Sequence, residues 1–409
     1  MGPTKPIDLE EKMVFIGTTR FSLFKPDSGA WRSSANGAFS SPEQYKEYLF
    51  SPRRIEPRMK ILREVSLPNL AVAAESHTIR HIIHYSPELP SQYLRQLEAL
   101  QRDFPFVVLS DASDSTGARH PYTIANELNP HQKPYVIYRL DDDDFLSTSY
   151  FDQLAPLVTE ANLGFRVSLA AGLTGIFDGE RFSTIRYSYK PYIAIGLAGI
   201  YGRNSQGQFV APAETAHNLS DRVGTVMVDA TECSYFWTRH AGQDTDFGKN
   251  EGLDATRKEV ASLPPIPTNW NLFESFPSLR DHTDSLSRSE VISDTDVSED
   301  GKPLRISATG RFSLLLDATF PDGMQANAGL ISFQIERDGV PTDDIEVQGM
   351  TRSPNPTIGQ YRYITTYAGR RSNQFDFELP PGCEVIGARI TPFGALGKPF
   401  YVNSLYILQ

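Results

Sequence analysis

The pattern of apolar and polar positions changes once along the chain. Up to about residue 250, short apolar runs alternate with amphipathic stretches, whereas from Leu304 onward only short alternating segments remain. Met13–Phe24 reads as a first strand that runs into a polar turn. Residues 25–58 are rich in Ser, Pro, Gly and aromatics, with a helix around Pro42–Leu49. A further helix spans Arg58–Leu67 and ends before Pro68, because the residue preceding a proline avoids helical geometry. Thr78–Tyr85 is a second strand. Glu88–Gln101 is a helix with Leu89, Leu94, Leu97 and Leu100 on one face, and Phe104–Leu109 is the next strand.

Tyr135–Leu140 is a near-continuous apolar run of the kind buried in a parallel sheet. Ser147 or Ser149 caps a helix whose inner face is Leu154, Leu157 and Val158. Strands follow at Phe165–Ala170, Phe182–Tyr189, Thr225–Asp229 and Cys233–His240, with a short helix near Leu219–Val223. Strand–helix–strand alternation indicates βαβ units and an α/β domain over residues 1–277. The window 278–302 is dense in acids and serines and reads as a linker or mobile loop. Regular short strands without helices then predict an all-β sandwich over 303–409, of jelly-roll type.

The 409 residues suit two or three domains, and a formal charge of −11 argues against a general nucleic-acid binder. Cys233 and Cys383 lie far apart and form no disulfide framework. No run approaches the roughly 20 apolar residues of a membrane span, and Met1–Lys12 has no secretory core. These features predict a soluble, cytoplasmic protein.

The candidate chemistry gathers where the Tyr135–Leu140 strand ends in Asp141, Asp142, Asp143 and Asp144. In an open α/β sheet, ligands bind at the carboxyl ends of strands. Adjacent carboxylates repel unless something positive sits among them, and oxygen ligands of this type suit Mg²⁺ or Mn²⁺. The alternative reading is a solvated acidic turn. On either reading these are exposed strand-end acids that contribute little to a core. Arg20, at the end of the first strand, can fork onto a phosphate, or be a surface arginine. Trp31, Tyr45, Tyr48 and Phe50 interleave with Arg32, Arg53, Arg54 and Arg58, a composition that grips a nucleotide or packs its stems on a surface. The Phe104–Leu109 strand ends in Asp111, Ser113 and Asp114. Gly196 and Gly199 permit close approach of a ligand or of another backbone, and the Gly196–Gly207 region is placed to close over the site.

The N-terminal part resembles the bacterial putative rhamnosyltransferases, glycosyltransferases of the GT-A fold. The resemblance is carried by Thr19-Arg20-Phe21-Ser22, Leu49-Phe50-Ser51-Pro52-Arg53-Arg54, Leu67-Pro68-Asn69-Leu70 and Tyr85-Ser86-Pro87-Glu88-Leu89-Pro90. Its most specific pieces are Tyr138-Arg139-Leu140-Asp141-Asp142-Asp143-Asp144 and Phe236-Trp237-Thr238-Arg239-His240. It covers about residues 13–250 and leaves the C-terminal part outside.

The resemblance implies a nucleoside-diphosphate sugar donor and Mn²⁺ or Mg²⁺. It places a DxD motif on Asp141, Asp143 and Asp144, with Asp141 toward the ribose or sugar and Asp143, Asp144 and His240 toward the metal. Arg20, Arg139, Asp142 and the Asp111–Ser113–Asp114 turn fall on the donor side. Glu214 and Asp244 are the candidate catalytic acids, with Asp246 a rival. His240 is expected beside the aspartates because both end parallel strands at one sheet edge. The function implied is metal-dependent transfer of a hexose, rhamnose by the family's name, to a hydroxyl of a glycan or similar acceptor. The competing class is a non-catalytic carbohydrate-binding protein, in which Tyr361, Tyr363, Tyr367 and Phe375 stack on sugars. The sandwich is also a candidate for self-association.

Overall fold

The first strand, β1 (Val14–Phe21), is buried on both faces, as a central parallel strand must be. In chain order it is followed by α1 (Pro42–Leu49), α2 (Pro52–Ile61), α3 (Leu67–Ala74), β2 (Thr78–Tyr85), α4 (Ser91–Asp103), β3 (Val107–Asp111), α5 (Pro121–Leu128) and β4 (Tyr135–Arg139). Then come β5 (Phe145–Leu146), α6 (Tyr150–Leu154), β6 (Arg166–Leu169), β7 (Ala171–Phe177), β8 (Phe182–Tyr189), β9 (Ala198–Arg203), β10 (Phe209–Val210), β11 (Val226–Asp229) and β12 (Tyr235–Arg239). This computed structural model describes residues 13–26, 39–129, 131–241, 243, 252–267, 270–283, 288–342 and 344–408. The chain divides into two units: residues 1–182, 187–256 and 268–282, and residues 183–186, 257–267 and 283–409.

The larger sheet of the first unit has the order β11-β6-β9-β4-β1-β2-β3, with β10 paired to β9. β4, β1, β2 and β3 are parallel, so their carboxyl ends share one edge. β9 is antiparallel to both β4 and β6 and lies in mid-sheet. It is therefore no flap. Gly196 packs its backbone on Tyr150, where an added Cβ would come within 2.7 Å of the ring, and Tyr150 Oη donates to the Gly196 carbonyl. A second sheet has the order β5-β12-β7-β8, with β12 parallel to β7 and antiparallel to β5.

The helix expected to end before Pro68 instead runs on. A π segment at Leu62–Ser66 joins α2 to α3, and the Leu67 N–H donates to the Leu62 carbonyl five residues back. The wider turn spares the clash between the Pro68 ring and the preceding turn.

A buried polar chain sets the end of β4. Thr19 Oγ1 donates to the Leu140 carbonyl (2.8 Å), His81 Nε2 lies 2.9 Å from Thr19 Oγ1, and His81 Nδ1 lies 3.1 Å from Tyr138 Oη. Since the Thr19 proton is committed to Leu140, His81 Nε2–H donates to Thr19 and Tyr138 donates to Nδ1. Gly17 makes room for this chain, because a Cβ there would fall 2.1 Å from His81 Nδ1 and 2.5 Å from Tyr138 Oη.

The second unit contains two antiparallel sheets. One has the strand order 288–297, 400–408, 311–320, 369–378; the other has the order 302–304, 383–392, 329–337, 360–364, 351–352. Apolar residues of both, among them Leu316, Val402, Ile331 and Ile390, fall in one core. The expected linker at 278–302 is corrected here. Pro277–Asp281 is a 3₁₀ turn of the first unit, with Leu279 buried and Ser278 Oγ donating to the Val65 carbonyl. Arg288–Val297 is an edge strand paired with 400–408. Backbone pairing and buried Val297 compensate for its weak hydrophobicity, and its exposed acids are what an edge strand uses against unwanted pairing.

Burial pushes the His81 pKa down from its ordinary 6.5 to about 3. Between those values the unfolded chain binds a proton that the folded chain refuses. This contribution to stability is therefore complete above pH 6.5 and is lost as pH falls toward 3. His81→Gln, which cannot charge, should be less stable than wild type at pH 7.5, and the deficit should shrink at pH 4.5 in urea denaturation. A deficit independent of pH would place the proton elsewhere.

Candidate active site

The carboxyl ends of β1 and β4 border a cleft of about 180 Å³ lined by Arg20, Ser22, Arg54, Arg58, Arg139, Asp141–Asp144, Trp237 and Gln243. Local structure explains how the acids come to be there. The Thr19 hydroxyl fixes Leu140, and the chain then turns through the four aspartates and leaves the larger sheet. It enters the second sheet at β5, where Phe145 stacks on Phe236 at 4.6 Å between ring centres, with Phe276 and Phe182 edge-on. The acid turn thus spans two sheets. β12 lies antiparallel to β5, so its far end returns to the turn: Thr238 N–H donates to Asp144 Oδ1 (2.9 Å) and His240 Nε2 donates to Asp143 Oδ2 (3.1 Å). His240 stands beside the aspartates as expected, but by a different route, from the second sheet and not from a parallel strand at the same edge.

The expectation of exposed acids is overturned. Asp142, Asp143 and Asp144 are 4%, 6% and 4% exposed. What makes this tolerable is Arg58, itself 5% exposed, whose Nη1 bonds Asp142 Oδ1 and lies 2.8 Å from Asp143 Oδ2. Burial raises the Asp142 carboxyl, with Arg58 opposing. Burial acts the same way on Asp143, but Arg58 and His240 outweigh it and hold that carboxyl below the usual range. Asp144 is raised well above its ordinary value by burial, with Asp143 and Asp141 adding to it. The turn therefore sets a carboxyl held low, Asp143, beside one pushed high, Asp144. Asp141, at the rim, is gripped by Arg139 through Nε and Nη2 at 2.8–3.1 Å.

Asp143, Asp144 and His240 come together, but not as a divalent cage. Asp143 Oδ2 is taken by Arg58 and His240, Asp142 Oδ1 by Arg58 and Asp144 Oδ1 by a backbone N–H. Among the described residues, no group of three or more His, Cys, Asp or Glu side chains is arranged to hold a metal ion. The side chains as placed do not fit Mn²⁺ or Mg²⁺.

The remaining candidates distribute as follows. Arg20 reaches the cleft. Asp111 and Asp114 lie at the same sheet edge, two strands from β1, and close local turns: Asp111 Oδ1 accepts from Ser113 N and Oγ, and Asp114 Oδ1 accepts from Thr116 N. Glu214 is not brought to the aspartates. It is exposed and adds to the raised pKa of Tyr122 and Tyr201, which burial mainly causes. Tyr201 pairs with Tyr135 at the opposite end of β4. Asp244 and Asp246 lie outside the described residues, as do Trp31 and Arg32.

The sequence grouped Arg58 with the arginines that grip a nucleotide or pack on a surface, but did not place it against the aspartates. The available signal was Arg54 and Arg58 four apart beside Ile55 and Met59, which puts two arginines on the inward face of one helix. Arg54 Nη1 donates to Ser22 Oγ (3.1 Å), and Ser22 holds a left-handed φ of 46° at the end of β1.

The family model of the putative rhamnosyl transferases matches residues 14–250, more than half of the chain. The chain belongs to this family, and so by family it is a glycosyl transferase. No curated protein matches it. Among solved structures, S. aureus TarS 1–349 in complex with UDP-GlcNAc is similar at 10% identity over 61% of this chain and 70% of that one, with a TM-score of 0.26. The inositol-1-phosphate CTP transferase from T. maritima is similar at 12% identity, 61% and 98% coverage, and a TM-score of 0.26. A carbohydrate-binding module from the Cellvibrio mixtus lichenase 5A is similar at 11% identity over 31% of this chain and 87% of that one, with a TM-score of 0.15.

Removing Arg58 strands two buried carboxylates. Arg58→Ala should destabilise the first unit by about 3–5 kcal/mol, read as a shift of the urea midpoint. The double variant Arg58→Ala with Asp142→Asn should recover part of that loss. Equal stability of wild type and Arg58→Ala would show that the pairing does not hold the turn.

Proposed function

We propose that the chain transfers a hexose, rhamnose in the first instance, from a nucleoside-diphosphate sugar to a hydroxyl of a glycan or similar acceptor. The observation that carries this reading is the set of arginines lining the strand-end cleft beside Asp141–Asp144. Guanidinium forks suit phosphate oxygens, and the cleft stands at the sheet edge where α/β folds take nucleotides. In the reaction the bond from the sugar's anomeric carbon to the phosphate oxygen breaks, and the electron pair leaves with the nucleoside diphosphate. The acceptor oxygen bonds to that carbon and gives its proton to a carboxylate. Arg139 holds Asp141 in place for the ribose or sugar. Trp237, with Arg239 over its ring at 4.6 Å, offers an apolar wall.

Asp244, four residues beyond His240, is the carboxylate we assign to the acceptor side in preference to Glu214, which does not line the cleft. We read the first unit as GT-A-like and the second as a jelly-roll-type sandwich that holds the acceptor or mediates self-association, with Tyr367 exposed there and Phe375 buried in its core. Among the described residues no helix is long and apolar enough to cross a membrane, and we place the reaction in the cytoplasm.

The test is release of nucleoside diphosphate from a panel of dTDP-, UDP- and GDP-sugars by the full chain, with and without glycan acceptors. At least one donor should be turned over, and Asp141→Asn should reduce kcat/KM by about 100-fold, as loss of a positioned charged group does. Asp244→Asn should lower kcat and leave donor KM unchanged. Glycan binding with no donor turned over would favour the carbohydrate-binding alternative.

A further inference from the structure

An acid cluster calls for a divalent cation when nothing else positive is at hand. Here four carboxylates, Asp141–Asp144, face four guanidiniums drawn from three separate elements: Arg20 of β1, Arg54 and Arg58 of α2, and Arg139 of β4. The four guanidiniums suffice to balance the charge of these carboxylates without a cation. Arg58 sits between Asp142 and Asp143 on the atoms a cation would take, and His240 occupies the remaining position on Asp143 Oδ2. We propose that the donor's diphosphate is held directly by Arg20, Arg54 and Arg139, with Arg58 standing in the cation's place, and that binding and transfer need no metal. This rests on the glycosyltransferase reading.

The surroundings support a phosphate more than a passive ion-pair network. Arg20 and Arg139 lie close enough that Arg139, after burial, lowers the Arg20 pKa. Asp141 and Asp142 act the other way on Arg20, and Arg139 is itself paired with Asp141. Arg54 is aimed by Ser22, whose left-handed backbone is a local strain kept at this spot. When the anomeric bond breaks, the electron pair stays on the outer phosphate oxygen, and guanidiniums already in position neutralise it. The acceptor's proton goes to a carboxylate, so the step needs no further reactant.

The test uses the full chain and three probes: Mn²⁺ alone, pyrophosphate, and a set of UDP, GDP and dTDP. By calorimetry, pyrophosphate or one of the nucleotides should bind equally well in EDTA and in Mn²⁺, within about twofold, and Mn²⁺ alone should not bind. Arg20→Gln and Arg54→Gln should each weaken binding about 10-fold or more, as loss of a charged hydrogen bond does. Arg58→Met, checked for native circular dichroism, should acquire Mn²⁺ binding that Asp143→Asn removes again. If Arg58→Met does not fold, the wild-type measurements decide alone. Mn²⁺ binding to wild type that is lost in Asp143→Asn, together with nucleotide binding that collapses in EDTA, overturns the proposal. Donor turnover that requires a metal overturns it while leaving the glycosyltransferase reading intact. No binding of any phosphate probe and no turnover under either condition overturns both.

Discussion

The pairing of Arg58 with Asp142 and Asp143 is the interaction on which the first unit's architecture depends. Several consecutive carboxylates shielded from water are intolerable unless each finds a positive group or a proton. Arg58 supplies the charge for two, Arg139 holds Asp141 at the rim, and Asp144, which burial pushes toward its neutral form, accepts a backbone N–H. For Arg58 to reach, α2 must lie across the ends of β1 and β4. The run from α2 through the π segment into α3 is what lets one long helical stretch do this in spite of Pro68.

A second constraint acts from inside the sheet. Tyr138, His81 and Thr19 form a chain of hydrogen bonds with only one consistent direction of protons, ending on the Leu140 carbonyl. Leu140 is the last residue before the acids, so the chain sets where the turn begins. It requires a neutral His81, which burial enforces, and a glycine at position 17, where any side chain would collide with the imidazole and the phenol. A lone buried histidine beside a catalytic cleft invites a catalytic reading. Here its two nitrogens are both committed, one to the Thr19 hydroxyl and one to the Tyr138 phenol.

Much of this was legible in the sequence. The strands at Val14–Phe21, Thr78–Tyr85 and Tyr135–Arg139 follow from apolar runs, and so does the all-β character after residue 303. The ligand edge followed from acids at the end of an apolar strand. What escaped reading was whatever depended on partners distant in sequence. Arg58 lies 84 residues from Asp142, and nothing local reveals that a helix will carry it there. The acidic segment 288–297 lacks the hydrophobicity of a strand, because its partner, 400–408, provides the pairing that composition does not. Glu214 resembled an acid at a helix start, yet it lies exposed beside Tyr122 and Tyr201 and does not line the cleft.

The change of sheet at the acid turn fixes the turn at both of its ends. A turn at the end of one strand is ordinarily free on its outer side. Here Asp141 follows β4 of one sheet and Phe145 opens β5 of another, and the stacked rings of Phe145 and Phe236 clamp the exit as the Thr19 hydroxyl clamps the entrance. β12, fixed by the same rings, delivers Thr238 and His240 to Asp144 and Asp143. The four carboxylates are thereby aimed from three elements: Asp141 from β4, Asp142 and Asp143 from α2, and Asp143 and Asp144 from the end of β12. The diphosphate of the proposed donor would bring negative charge to this cleft, and arginines already held in place receive such charge with little further reorganisation.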